Sequence, residues 1–78
     1  LSEMNLRVYP NPARNYINVE AENLKVINIY NIQGQLIYTL QNHEDVITLD
    51  ISDFDSGIYF IEGVDNDFNR KQSKFIVN

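Results

Sequence analysis

The apolar positions of this chain recur every second residue. Ile47, Leu49 and Ile51 alternate with Thr48 and Asp50, and Ile17 and Val19 alternate with Asn18 and Glu20. Phe75 and Val77 alternate with Lys74 and Ile76. A strand points successive side chains to opposite faces, so each set aims at one shared core. No window keeps the 3.6-residue period of an amphipathic helix. Turn-forming clusters cut the pattern into seven runs, beginning at Leu6, Tyr16, Leu24, Gln35, Val46, Gly57 and Lys71. Seven short runs with turn signals every eight to twelve residues or so predict an all-β sandwich, with Greek-key connections between its sheets.

Two of the turns carry a specific expectation. In Asn31-Ile32-Gln33-Gly34 the Asn side chain suits the first position of a type I turn. Gly34 then supplies the positive φ of a three-residue hairpin with a bulge. In Asp50-Ile51-Ser52-Asp53-Phe54-Asp55-Ser56-Gly57, the Ser52 and Asp55 spacing predicts a capped single helical turn with Phe54 plugged beneath it.

Composition narrows what such a sandwich does. At 78 residues the chain makes one domain, and it holds 16 Ile and Val against two Ala. There is no Cys, hence no disulfide framework, thiolate metal site or Cys nucleophile. The single His, His43, leaves little room for acid–base chemistry. A net charge of −5 argues against nucleic acid and anionic membranes as partners. No apolar run approaches the roughly 20 residues of a transmembrane segment. No cofactor and no catalysis are expected. The chain starts at Leu1 and shows no signal peptide, which reads as a piece of a longer protein.

The candidate chemistries each meet a simpler explanation. Asp65, Asp67 and Asn69 space like the opening of a calcium loop, but Arg70 stands where its Gly belongs and Ile76 where its bidentate Glu belongs. Asp50, Asp53 and Asp55 invite a paired-carboxylate reading, but they sit on a turn with no apolar pocket to raise one of them. A serine triad could be built only through His43. Five Tyr and four Phe could form a sugar-binding face, which keeps a carbohydrate-binding or adhesive accessory module as the alternative function. The last strand carries Arg70, Lys71 and Lys74, half of all Lys and Arg, and a strand edge offers backbone groups to a partner.

Four segments in this order resemble the type A C-terminal sorting domain of the type IX secretion system. They are Val8-Tyr9-Pro10-Asn11-Pro12-Ala13, then Ile29 to Leu36 around Gly34, then Leu49 to Ile61 with Gly57-Ile58-Tyr59, and last Lys74-Phe75-Ile76-Val77. The resemblance implies an immunoglobulin-like seven-strand Greek-key sandwich over residues 6–78, with 1–5 a linker remnant. It implies a non-catalytic signal that directs an N-terminal cargo domain from the periplasm through an outer-membrane translocon to the cell surface or beyond. A surface sortase commonly removes the domain, and the cargo is released or attached to lipopolysaccharide. Carried over residue by residue, Lys74, Phe75, Ile76 and Val77 are the translocon-recognition positions. Pro10, Asn11, Pro12, Gly34, Gly57 and Tyr59 match family motifs of structural character. Many members end in further Lys or Arg, whereas this chain ends Val77-Asn78.

Overall fold

A computed structural model describes residues 4–41 and 44–78. His43 and the first three positions of the expected linker lie outside the described residues. The described chain is all strand and turn: β1 (Arg7–Tyr9), β2 (Tyr16–Glu20), β3 (Leu24–Tyr30), β4 (Leu36–Gln41), β5 (Val46–Asp50), β6 (Gly57–Asp65) and β7 (Arg70–Val77). Each starts within one residue of its predicted run. β1-β2-β5 form one antiparallel sheet and β4-β3-β6-β7 the other, so the chain crosses between sheets after β2, β4 and β5.

The period-two pattern places the core between the sheets. Ile17, Val19 and Leu49 project from the smaller sheet, and Ile51 follows just after β5. They meet Ile27, Ile29, Ile61, Phe75 and Val77 of the larger sheet. Tyr59 stacks on Phe75 at 5.7 Å between ring centroids, and Phe54 tilts against Tyr59 at 5.2 Å. Met4, inside the stretch expected to be linker, is also buried in this cluster. It meets Gly63, where an added Cβ would fall 2.8 Å from its Cε and 3.1 Å from both Leu24 and Leu6. A side chain at Gly63 would therefore displace the end of the core, a close approach that the alternation does not reveal.

The two turns behave differently. The β3–β4 hairpin is as expected: Gly34 has φ +83, its N–H donates to the Asn31 carbonyl at 3.0 Å, and the register shifts between Ile29 and Tyr30. Asn31 Oδ1 accepts from the N–H groups of Gln33 and Gln35. The segment after β5 is not the expected Ser52–Asp55 cap. There Asp50 is the capping acceptor, taking the Ser52 N–H at 2.9 Å and the Ser52 hydroxyl at 2.6 Å on one oxygen. The single turn does form, its Phe54 N–H donating to the Ile51 carbonyl at 3.0 Å, but Asp50, two residues ahead of Ser52, is what caps it. Phe54 still packs beneath it.

Candidate recognition surface

The residues of β7 split by parity. Phe75 and Val77 point inward and are buried, at 0% and 3% exposure. Lys74 and Ile76 point outward, opposite Phe60 and Ile58 of β6 in the antiparallel register. Ile58 and Ile76 are each more than a third exposed. The four positions expected to carry recognition thus divide into two core residues and two surface residues. The surface pair joins Ile58 and Phe60 in a small apolar patch with one positive charge.

The outer edge of this stretch is occupied from within the chain. Asn11 donates its side-chain N–H to the Lys74 carbonyl at 3.2 Å and accepts the Ile76 N–H on Oδ1 at 3.0 Å. An amide side chain thereby takes the place of a neighbouring strand's peptide group. Ala13 continues the strap: its N–H donates to the Ile76 carbonyl at 2.7 Å, and its carbonyl accepts the Asn78 N–H at 2.8 Å. This is a parallel bridge from Ala13 to Val77. Pro10-Asn11-Pro12 and Lys74-Phe75-Ile76-Val77, joined by Asn11 across 63 residues, are one structure. The Lys74 and Ile76 side chains are therefore what this stretch presents, while its backbone groups are bonded to Asn11 and Ala13.

The other family-motif residues serve the frame of β6 and β7. Gly57 opens β6 opposite Val77. Tyr59 lies two residues on, and its hydroxyl donates to the Asp55 carbonyl at 2.7 Å. A buried Tyr near a strand start that bonds back upstream locks the preceding loop, the device of a tyrosine corner. It also gives the phenol a partner, which burial requires.

Polar side chains on the outer face of the larger sheet form a network around Glu62. Its Oε1 accepts from Asn28 Nδ2 at 3.0 Å, from the Tyr30 hydroxyl at 3.3 Å and from Arg70 at 3.2 Å. Thr39 adds a hydrogen bond to Asn28. Burial, followed by the Glu62 charge, raises the Tyr30 phenol above its ordinary value. Arg70 is thus committed to Glu62. At the β6–β7 tip, Asp65 accepts from the Asp67 and Asn69 N–H groups and from Asn69 Nδ2. It closes the turn, and unlike a solvated tip residue it is buried. Among the described residues no cluster of His, Asp and Glu could hold a metal ion.

The five tyrosines do not assemble. Tyr9 and Tyr16 lie exposed on the smaller sheet, Tyr30 sits in the Glu62 network, Tyr38 packs on the core, and Tyr59 is buried. The alternation that marks Phe75 and Val77 as inward also marks Ile58 and Phe60 as outward, a signal present in the sequence. The role of Ala13 carried no signal, because it contributes only backbone.

Residues 7–78 match the family described as the secretion system C-terminal sorting domain. An ulvan lyase of Nonlabens ulvanivorans is 38% identical over 74 residues, which is 91% of this chain and 14% of that protein. An endo-acting ulvan lyase of Formosa agariphila is 29% identical over 75 residues, covering 92% of this chain and 14% of that protein. The chain therefore spans about a seventh of the length of these relatives. Among solved structures, PorZ, a bacterial surface component of the type IX secretion system of Porphyromonas gingivalis, contains a similar fold. The TM-score is 0.78 at 21% identity, over 95% of this chain and 11% of that one.

Proposed function

The chain belongs to the family of secretion system C-terminal sorting domains, the tails of type IX secretion cargo, and from that premise we propose that the Lys74 and Ile76 side chains are the part of the tail read by the outer-membrane translocon. The observation that carries this is the division of β7. Of the four matched positions, only Lys74 and Ile76 offer their side chains to a partner, while Phe75 and Val77 are committed to the core. Ile58 and Phe60 extend the contact on β6. The apolar side chains offer a partner area to bury, and the Lys74 cation offers a charge that a complementary surface can match.

On this reading the tail is a non-catalytic address. Its cargo domain lies N-terminal in the same protein, and the ulvan lyases show that such tails occur within enzymes. Transit runs through the periplasm, and a surface sortase removes the tail once the cargo is outside. The sorting unit on this reading is residues 6–78, and the packing of Met4 into its core supports counting that residue with it.

The test is a reporter carrying an export signal fused ahead of residues 1–78 in a competent host. The wild-type fusion is expected at the cell surface or in the medium. Lys74→Glu with Ile76→Glu is expected to leave the domain folded by circular dichroism and the reporter in the periplasm. Normal secretion of that double variant overturns the assignment. Retention of the folded wild-type fusion overturns the sorting role for this chain.

A further inference from the structure

No Asp, Glu, Lys or Arg falls between Lys25 and Glu44, a gap of 18 residues in a chain that is 22% charged. Elsewhere the longest such gap is six residues. The gap is the β3–β4 hairpin, and β4 is one border of the larger sheet. Loss of charge is the compositional mark of an interface centre.

The edges of the two sheets differ in how they are protected. β1 is three residues long, carries Arg7 and runs into Pro10. β5 lies between Asp45 and its own terminal Asp50. β7 is strapped by Asn11 and Ala13 and carries Arg70, Lys71 and Lys74. Short edges, charges, prolines and covers all discourage strand addition. β4 runs six residues, Leu36–Gln41, with no charge and no Pro; the register shift against β3 leaves Ile37 as an extra residue near its start, Tyr38–Gln41 continue regularly, and among the described residues no strand lies on its outer side. At its start and in the turn before it, Leu36, Ile37 and Ile32 are 54%, 43% and 67% exposed, three large apolar side chains at this end of the hairpin.

We infer that the β4 edge with this end of the hairpin docks a second copy of this chain, β4 against β4 antiparallel about a two-fold axis. The partner strand must itself be poor in charge, because an ion carried onto this edge would be desolvated with no counter-ion opposite. Among the edge strands of this chain only β4 meets that condition, and a two-fold axis brings it to itself as an isologous contact. No like charges then face one another across the new ladder. The −5 charge of each copy opposes approach, but it resides outside the hairpin. At physiological salt, charges more than about 8 Å apart are largely screened. Pairing is thus expected to strengthen with salt, opposite to an interface built on ion pairs. This inference is independent of the sorting role and is tested without export.

Sedimentation equilibrium of the full 78-residue chain, at rising protein concentration and at low and high sodium chloride, reads it directly. The apparent mass is expected to climb toward twice the monomer, and to do so at lower concentration in high salt. Ile37→Lys with Thr39→Lys puts two charges on exposed positions of β4 and is expected to weaken dimerisation at least tenfold while circular dichroism is unchanged. Gln72→Lys, on the β7 border, is expected to leave dimerisation as in the wild type. If the double variant unfolds, concentration-dependent protection of the β4 amides against hydrogen exchange in the wild type decides the matter. A monomer at every concentration and salt, protection confined to β7, or association lost in Gln72→Lys overturns the inference.

Discussion

Asp65 shows how one side chain can be pulled both ways and still have a determined sign. Its burial pushes the carboxyl up, and its hydrogen bonds from Asn69 and Asp67 more than offset this, so it is held below its ordinary value. Asp50 is lowered chiefly by the Ser52 hydroxyl, then by the Ser52 N–H. A carboxyl whose folded value lies below its unfolded one binds its proton more weakly in the folded state. Its stabilisation is complete above the unfolded value, about pH 4, and is lost as pH falls through the lower folded value. The melting temperature of the wild type should therefore fall below about pH 4. Asp50→Asn with Asp65→Asn should flatten that fall, as calorimetry across the acid range would show. An unchanged acid limb in the double variant would mean that these turns do not set it.

At the scale of the element, the strap on β7 matters most. The strand has a full ladder to β6 on one side and is bonded by Asn11 and Ala13 on the other. Asn11→Ala removes one donor and one acceptor, each worth about 0.5–1.5 kcal/mol. The expected loss is about 1–3 kcal/mol in urea unfolding, with faster exchange at the Ile76 amide. Asn11→Asp separates the two bonds. It can still accept the Ile76 N–H but cannot donate to the Lys74 carbonyl, so it should fall between wild type and Asn11→Ala. Equal stability of all three proteins would show that the strap holds nothing. This element also accounts for Asn between two Pro in the opening motif: Pro10 and Pro12 lack N–H groups, and the Asn side chain supplies the pairing that its backbone does not.

For the molecule as a whole, size sets the margin. A 78-residue chain has a net stability on the order of 4–12 kcal/mol at typical values per residue. Phe75 is wholly buried and stacked on Tyr59, which in turn touches Phe54. Phe75→Ala should cost about 3–5 kcal/mol, a large part of that total. It is expected to reduce cooperativity and midpoint in urea unfolding and to abolish export by unfolding the signal. A defect at Phe75 thus reports on folding, whereas one at Lys74 or Ile76 with the fold intact reports on recognition. A Phe75→Ala protein with wild-type stability would break this distinction.

The sequence by itself determined the seven strands, the inward and outward sides of β7, and the β3–β4 hairpin down to the positive φ of Gly34. These follow from period-two alternation and local backbone sterics, which act over a few residues. The family was legible too, because its motifs fall in order along the chain. Tertiary structure decided the rest. That Asn11 bonds β7, that Tyr59 bonds back to Asp55, and that Met4 and Gly63 touch all depend on segments meeting in space. Alternation assigns a side chain to a face, but it does not say which strand lies alongside. Backbone contacts such as that of Ala13 leave no trace in side-chain pattern. The end of the β7 edge reads as open along the chain and is covered in the fold by Asn11 and Ala13, more than 60 residues away.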